Sequence, residues 1–456
     1  MPIGTPVHPR TLALCESLNY REWSGYYAVS AYESHHEHEY NAIRNASALI
    51  DVSPLFKYLV TGPDAARFVD RLITRDVSKM SVGQVFYTPW CDEHGKVIDD
   101  GTVSRLGDTR FRWTAADPSL RWFRQNAAGM KVSIEDISEE LAALALQGPT
   151  SARLLRAVSD ADIDRLKYFR VTSGTIAGVR VEISRTGYTG DLGYEIWIPA
   201  AHALTVWDAL MDGGKPFDIK PAGMLALDVA RVEAGLLLID VDFHGSKKAM
   251  IETQKYTPFE MGLGRLVSLD KGRFIGQQAL RREHQRGHAR QIVGLHIDWT
   301  EVEQIYDRIG LAPAVGATAS RVAVPVYRDG KQIGRATTTT WSPVLKRMIV
   351  GLEVDWNDVE AAHDRLGLPP IAPAAASRVP VPVMRDGRQI GKATTTAWSP
   401  TLKRLIALAT IDAPHFAVGT QVQVEVTVEA QRQLARATVV KTPFFNPARK
   451  TSTPPQ

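Results

Sequence analysis

The sequence predicts an α+β protein: a large body of interleaved strands and helices, then a β-rich C-terminal domain containing a tandem 57-residue duplication. Three observations lead there. Strand-like and helix-like patterns alternate through the first 290 or so residues without one long periodic run. Residues 292–348 align without gaps on residues 349–405, with about 37 identical positions, so one structural unit occurs twice. Hydrophobic residues make up 44% and charged residues 23% of the 456, the balance of a chain long enough for several domains with sizeable cores.

In the body, Phe56–Thr61 reads as a strand, and Gly62-Pro63-Asp64 as a turn that caps a helix over Ala65–Leu72. Phe86-Tyr87-Thr88 and residues 97–103 read as strands joined by a turn at Glu93-His94-Gly95. Residues 178–184 and 193–198 form a second strand pair around a Gly-rich turn, and residues 222–234 are helical. Each repeat copy reads as a strand (Ile292-Val293-Gly294-Leu295 in the first), a short helix over residues 302–309, a Pro/Ala linker and a hairpin turning at Asp329-Gly330. The expected divisions are a two-lobed body at 1–290, a first β-rich repeat at 291–348, a second repeat with the closing strands at 349–445, and a Pro/Ser/Thr-rich tail at 446–456, expected to be disordered. Neither copy adds a cluster of titratable groups, so the duplication is expected to be structural.

Composition excludes several classes. No stretch reaches about 18 consecutive apolar residues, so no membrane-spanning helix is expected. Met1-Pro2-Ile3-Gly4 does not begin a basic-then-apolar leader, and a cytoplasmic location is expected. Cys15 and Cys91 alone cannot build a disulfide framework or a four-cysteine zinc site. A net charge of +4 without a Lys/Arg block suits a phosphate or carboxylate ligand better than a nucleic acid.

The segment Ser184-Arg185-Thr186-Gly187-Tyr188-Thr189-Gly190-Asp191-Leu192-Gly193-Tyr194-Glu195 has three glycines spaced by three. It joins two strands, whereas a dinucleotide fingerprint leads from a strand into a helix. Two readings stand open. The glycines bring backbone close to a ligand, with Tyr188 as a flat face and Glu195 as a bidentate acceptor, or the segment is a tight hairpin with a solvated Glu. Asp99-Asp100 lies on a strand, where adjacent side chains face opposite sides, so at least one carboxylate points inward; a strand-end turn is the alternative. Burial raises a carboxylate's pKa and suits it to proton exchange. His35, His36 and His38 splay beside Glu37 and Glu39 and read as a solvated face, so no metal is expected. Cys91 has no flanking base and reads as a buried thiol, and the sequon Asn45-Ala46-Ser47 carries no meaning in a cytoplasmic chain.

Taken in order, Asp51-Val52-Ser53, Gln147-Gly148-Pro149, the Ser184 to Glu195 segment, Pro221-Ala222-Gly223, Asp228-Val229-Ala230-Arg231-Val232-Glu233-Ala234-Gly235 and Phe274-Ile275-Gly276-Gln277-Gln278-Ala279-Leu280 resemble the aminomethyltransferase (glycine-cleavage T-protein) superfamily of tetrahydrofolate-dependent one-carbon transferases. The resemblance runs over about residues 37–445, less the extra repeat. It implies a three-lobed, cloverleaf-like body with the cofactor tetrahydrofolate in a central channel. It implies that Asp100 stands beside the reacting folate nitrogens as the catalytic residue. Tyr87, Tyr168 and Tyr188 would pack the ligand and Glu195 would hold the pterin, a flat ring whose amino group and ring N–H suit a carboxylate. A folate-contacting asparagine position aligns with Thr114.

Departures from the family pattern fall where the carbon donor is expected to enter. Leu225-Ala226-Leu227-Asp228 stands in place of Gly-Ala-Arg-Asp, so a channel arginine is missing, and Ser53-Pro54-Leu55 replaces Ser-His-Met. After Gly235-Leu236-Leu237-Leu238-Ile239-Asp240-Val241-Asp242-Phe243-His244 comes an insertion reaching Tyr256. His244 and Tyr256 are the candidates for a proton donor to the leaving group, with a solvent-facing loop as the alternative. Ile390-Gly391-Lys392-Ala393-Thr394-Thr395 and Trp398-Ser399-Pro400-Thr401-Leu402-Lys403-Arg404 resemble the superfamily's closing barrel domain. Trp341 and Trp398, beside their Ser-Pro pairs, resemble its O-demethylase branch. The expected function is therefore transfer of a methyl group from a small methylated compound to tetrahydrofolate. Aminomethyl transfer with a lipoyl carrier protein and non-catalytic folate binding are the alternatives. The expected partner is the small-molecule methyl donor, with no nucleic acid and no membrane; assembly as a homo-oligomer is left open.

Overall fold

In the computed structural model the described residues are 1–308, 376–428 and 431–454, together with the backbone of five short strands between Val324 and Val354. The Pro/Ala linker and the Asp329-Gly330 turn lie outside them.

Two sheets make the body. The first has five antiparallel strands in the order Val85–Cys91, Val97–Gly107, Arg110–Ala115, Phe56–Thr61 and Ser133–Asp136. Its core is aromatic: Trp90 and Trp113 meet edge to face at 5.1 Å, and Phe123 lies 4.5 Å from Trp113. Such ring pairs add about 0.5–1.5 kcal/mol to the burial of their area. The helix Ala65–Leu72 covers this core where the sequence places it. Asp64 does not cap it through its side chain, which instead accepts from the Lys131 N–H at 2.8 Å.

The second sheet has six strands: Val171–Ile176, Val179–Ser184, Gly193–Pro199, Leu141–Gln147, Ser47–Asp51 and Ile219–Pro221, the last pairing in parallel. Leu141–Gln147 is buried along almost its whole length because both faces are covered. The helices Ser151–Val158 and Ala203–Gly213 pack on one face, and the helix Met224–Glu233 on the other. This last helix starts after Gly223, whose extended backbone donates its N–H to the buried carboxylate of Glu39 at 2.7 Å.

The C-terminal domain is a closed six-stranded barrel. Its strands run Val381–Arg385, Arg388–Ser399, Arg404–Asp412, Arg290–Ile297, Gln431–Val440 and Gln421–Val428, and the last pairs back to the first. The two copies divide the work unequally. The first copy supplies Arg290–Ile297, and the second supplies the hairpin and the strand after it. The hairpin turns at Asp386 and Gly387, both at positive φ as a tight type I′ turn requires. The equivalent strands of the first copy, Val324–Arg328 with Lys331–Ala336 and Thr339–Ser342 with Arg347–Val350, pair with each other outside the barrel. A barrel of fixed strand number and stagger has no place for them.

The tail departs from its expected disorder. Arg449 donates to both oxygens of Asp191 at 2.6 and 2.7 Å, and Arg185 reaches the carbonyls of Arg449 and Lys450. Composition cannot show this, because the tail's partners, Asp191, Arg185 and Arg44, lie far from it in the sequence. No helix among the described residues is long and apolar enough to cross a membrane.

One buried junction joins body, barrel and tail. Arg44 donates to Glu233 at 2.9 and 2.5 Å and to the Thr189 carbonyl at 2.9 Å, with the Phe445 ring 4.4 Å from its guanidinium. The other oxygen of Glu233 accepts from Tyr40 at 2.5 Å and from Ser399 of the barrel. Glu233→Gln removes the nearer of two carboxylates on Arg44, with Asp191 remaining at 3.5 Å, so stability is expected to fall by about 1.5–3 kcal/mol, the scale of a charged hydrogen bond. Urea unfolding measures this, and a loss below about 1 kcal/mol would show that the junction does not tie the lobes. Deleting residues 349–405 joins Met348 to Ile406 and offers the barrel the near-identical hairpin of the first copy. The expected product folds, with a melting temperature within about 5 °C of the full chain; an aggregated or non-cooperatively melting product would contradict the barrel assignment.

Candidate functional site

Asp99 and Asp100 divide between the two faces of one strand, as the alternation requires. Asp99 is fully buried and accepts three backbone N–H bonds, from Asp100 at 2.8 Å, Asp117 at 3.0 Å and Ala116 at 3.1 Å. Burial first, and the neighbouring Asp100 second, push its carboxyl well above the usual range. It anchors the loop after Arg110–Ala115 and has a structural part. Asp100 faces the other way and accepts from the Tyr87 hydroxyl at 2.6 Å, a diagonal cross-strand contact. Burial pushes Asp100 up to about 6, with the Tyr87 bond pulling it down. The next residue, Gly101, lies so close to the neighbouring strand that a Cβ would sit 2.1 Å from the Thr114 carbonyl, so a side chain there would prise the sheet apart.

The Gly-rich segment is ordered by a partner remote in sequence. Gly187 and Gly193 straddle the side chain of Gln147, where a Cβ on either would come within 2.1–2.2 Å of the amide oxygen. Gln147 also accepts from Thr189 at 2.8 Å and donates to the Thr186 and Tyr194 carbonyls, each at 3.3 Å. These two glycines therefore admit Gln147, where a ligand was the expected neighbour. The clasp leaves Tyr188 half-buried with its hydroxyl donating to the Leu237 carbonyl, in the electrostatic reach of Asp100 and Arg231. Burial raises its phenol well above the ordinary value. Glu195 accepts from Thr186 at 2.6 Å, and burial raises its carboxyl while Thr186 and Arg112 oppose the shift.

The remaining candidates separate. Tyr168 is half-buried, edge to face with Phe169 at 4.7 Å, and has the Lys450 ammonium 5.8 Å from its ring. Burial pushes its phenol up to about 12 against the pull of Arg185 and Arg265. Thr114 spends its hydroxyl on strand pairing, at 2.6 Å from the Thr102 hydroxyl and accepting from the Thr102 N–H at 3.1 Å. That role is local and does not need a ligand. Tyr256 is 1% exposed, with its hydroxyl 3.0 Å from that of Thr410 and Arg290 stacked 3.9 Å above its ring. Its packing between insertion and barrel runs against the proton-donor expectation. His244 is partly exposed beside Asp240 at 3.6 Å, the solvent-facing alternative. The insertion nevertheless braces the Asp100 strand, since Ser246 donates to the Val97 carbonyl at 2.7 Å and Val97 to the Tyr256 carbonyl at 2.8 Å. His38 pairs with Glu33 at 2.7 Å, and Cys91 is a buried thiol raised by burial. A cavity of about 340 Å³ lined by Asp76, Phe259 and His284, and one of about 440 Å³ lined by Arg10, Trp207 and Met211, hold none of the candidates.

Sequence reading missed Gln147 as the clasp of the loop and Arg112 as a neighbour of Glu195. Arg112 sits on a strand of the first sheet and reaches Glu182 on the second. No local pattern announces a contact across 70 residues.

The donor set fits a flat, polar heterocycle: carboxylates at Asp100 and Glu195, phenol rings at Tyr87 and Tyr188, and a buried guanidinium at Arg112. Comparison with known proteins identifies the family. The model of the GCVT N-terminal domain matches residues 8–271, and that of the glycine cleavage T-protein C-terminal barrel domain matches residues 365–446. An aminomethyltransferase of Caldanaerobacter subterraneus subsp. tengcongensis is 36% identical over 316 residues, 68% of this chain and 78% of that protein. A trimethylamine-oxide aldolase of Ruegeria pomeroyi is 35% identical over 379 residues, 80% of this chain and 44% of that protein. The crystal structure of the glycine cleavage system aminomethyltransferase T from Bartonella henselae shares the fold, with a TM-score of 0.71 at 19% identity over 98% of this chain and 99% of that one. With its body and its barrel both matched, the chain belongs to the glycine cleavage T-protein family of tetrahydrofolate-dependent transferases.

Proposed function

We propose that the chain moves a methyl group from a small methylated compound to tetrahydrofolate. The observation that carries this reading is the environment of Leu227-Asp228. Leu227 is 8% exposed and packs in the apolar cluster that includes Tyr40, Val52 and Met224, with Tyr188 against it. Asp228 is neutralised by Arg378 at 2.5 and 2.6 Å, by Arg21 at 3.2 Å and, within its own helix, by the buried Arg231 at 3.4 Å, so its charge needs no arginine at position 227. A wall of this kind suits a compact methylated donor better than a charged aminomethyl arm. The likeness to a trimethylamine-oxide aldolase supports an N-methyl compound as the donor. A second reading, aminomethyl transfer, draws on the several relatives named aminomethyltransferase.

When bound, tetrahydrofolate supplies the nucleophilic nitrogen that takes the one-carbon unit. Glu195 would accept from the pterin's ring N–H and amino group, and Tyr188 and Tyr87 would flank the ring. Asp100, fixed by Tyr87, would hold the acceptor nitrogen in line and take up its proton. Incubating the protein with tetrahydrofolate and a panel of methylated compounds, then identifying the folate product, separates the readings. 5-Methyltetrahydrofolate is expected. 5,10-Methylenetetrahydrofolate formed only with a lipoyl carrier would establish the second reading, and binding without product would leave a folate-binding protein.

Asp100→Asn keeps the shape and removes the charge, so folate binding should persist while the single-turnover rate falls by about 10²–10⁴. Asp99→Asn sets an amide among backbone donors and should lower stability more than rate. If Asp99→Asn is the slow variant at unchanged stability, the assignment of faces is wrong. A carboxyl pushed up to about 6 carries its charge only above that pH, so the wild-type rate should fall as pH drops through about 6. Asp100→Asn should lack this limb; a limb that persists in it belongs to another group. Glu195→Gln should weaken folate binding by about 1.5–3 kcal/mol, the scale of a hydrogen bond to a charged group. Titration checks this, and equal dissociation constants would remove Glu195 from the site.

A further inference from the structure

Arg112 is the one described arginine with two buried, unpartnered nitrogens, its Nε and Nη2 having no hydrogen-bond acceptor among the described residues. It is 3% exposed. Its third nitrogen, Nη1, donates to Glu182, and its guanidinium lies 4.1 Å from the centre of the Trp197 ring. The register of the second sheet sets Glu182 opposite Trp197 and Ser184 opposite Glu195. Residues paired in register, or two apart on one strand, share a face, so Glu182, Trp197 and Glu195 do. Arg112 crosses from the first sheet onto that face, close enough to be felt by the Glu195 carboxyl. A guanidinium this deep ordinarily has its donors satisfied, because an unmet buried donor costs its full desolvation. Glu195 accepts from Thr186 through one oxygen and has no side-chain partner on the other among the described residues.

An acceptor and an orphaned donor therefore stand on one face. The pterin of tetrahydrofolate presents the complementary edge: an amino group and a ring N–H, both donors, followed by a carbonyl oxygen, an acceptor. We propose that Arg112 is a specificity-determining residue for the folate head group, donating from Nε and Nη2 to the ring carbonyl while Glu195 accepts from the two adjacent donors. The proposal rests on Glu195 facing the pterin. It adds a reason for the protein to select a 4-oxo over a 4-amino pteridine, since the 4-amino ring turns that acceptor into a donor and sets it against the guanidinium.

The test compares dissociation constants for folic acid and its 4-amino analogue aminopterin. Wild type is expected to favour the 4-oxo ligand by at least about tenfold. Arg112→Met should weaken folic acid binding by about 10- to 100-fold, the loss of a charged hydrogen bond, and lower the ratio of the two ligands by about the same factor, leaving only the preference that Glu195 has for a ring N–H, which the 4-amino ring lacks. Glu182→Gln, which removes only the structural partner of Arg112, should preserve the ratio. A wild-type protein that binds both ligands equally overturns the proposal whether or not any variant folds. So does a folded Arg112→Met with an unchanged ratio. If Glu195→Gln leaves folic acid binding intact, the underlying reading fails instead; if it weakens binding while Arg112→Met does not, only the role of Arg112 is lost.

Discussion

The structure depends on the ion pair between Arg44 and Glu233. Both side chains are almost wholly buried, and Asp191 stands 3.5 Å from Arg44 as a second carboxylate. Arg44 serves Glu233, the Thr189 carbonyl and the Ala230 carbonyl, while Glu233 collects Tyr40, Ser399 and Arg44 itself. An unpaired charge at such depth would cost several kcal/mol, so these elements assemble together or not well. The pair draws on the helix Glu37–Asn45, the helix Met224–Glu233, the Gly-rich loop and the barrel. It therefore sets the distance between the loop that carries Tyr188 and the barrel that closes over it. Arg449 extends the same network through Asp191, which is why a tail rich in Pro and Thr is ordered.

Within that frame, the site separates holding from acting. Asp99 and Gln147 hold: one organises the loop behind the Asp100 strand, the other threads the Gly-rich segment, and both are buried with their hydrogen bonds satisfied. Among the described residues the side chains of Asp100, Tyr188 and Glu195 each make one hydrogen bond to another side chain or carbonyl and remain half-buried, the condition of groups available to a ligand. Rigid supports behind lightly tethered functional groups are what positioning catalysis needs.

What could be read from the sequence was whatever a local pattern encodes. The helix Ala65–Leu72, the hairpins on either side of Glu93-His94-Gly95 and of the Gly-rich segment, and the opposed faces of Asp99 and Asp100 follow from periodicity and turn residues, and the structure has them. The candidate ligand residues came through the resemblance, because their partners lie on other strands. Contacts between distant residues were not legible. The spacing of Gly187 and Gly193 cannot say that a glutamine lies between them. Nothing around Arg112 announces that it reaches the second sheet, and nothing around Tyr256 that Thr410 holds its hydroxyl. The barrel was opaque for a different reason: two copies that agree at about 37 of 57 positions carry no local signal to say which one enters it.

That ambiguity bears on the site at one residue. Asp228 is buried on the helix beside Leu227, and a buried carboxylate needs a matching charge. The family pattern places an arginine one position before it, whereas this chain has leucine there and matches the charge with Arg231 one turn on, Arg21 on the N-terminal hairpin and Arg378 at the edge of the barrel. The first copy carries Arg321 at the place equivalent to Arg378. Either copy of the hairpin could thus complete the pair. Drift between the copies has spared this arginine, although it has changed Val344 to Thr401, whose hydroxyl meets Tyr40 of the body at 2.6 Å. The leucine and the barrel arginine belong to one solution: the first removes a charge from the wall where the carbon donor is expected, and the second satisfies Asp228 from outside that wall, leaving the carboxylate matched and the wall apolar.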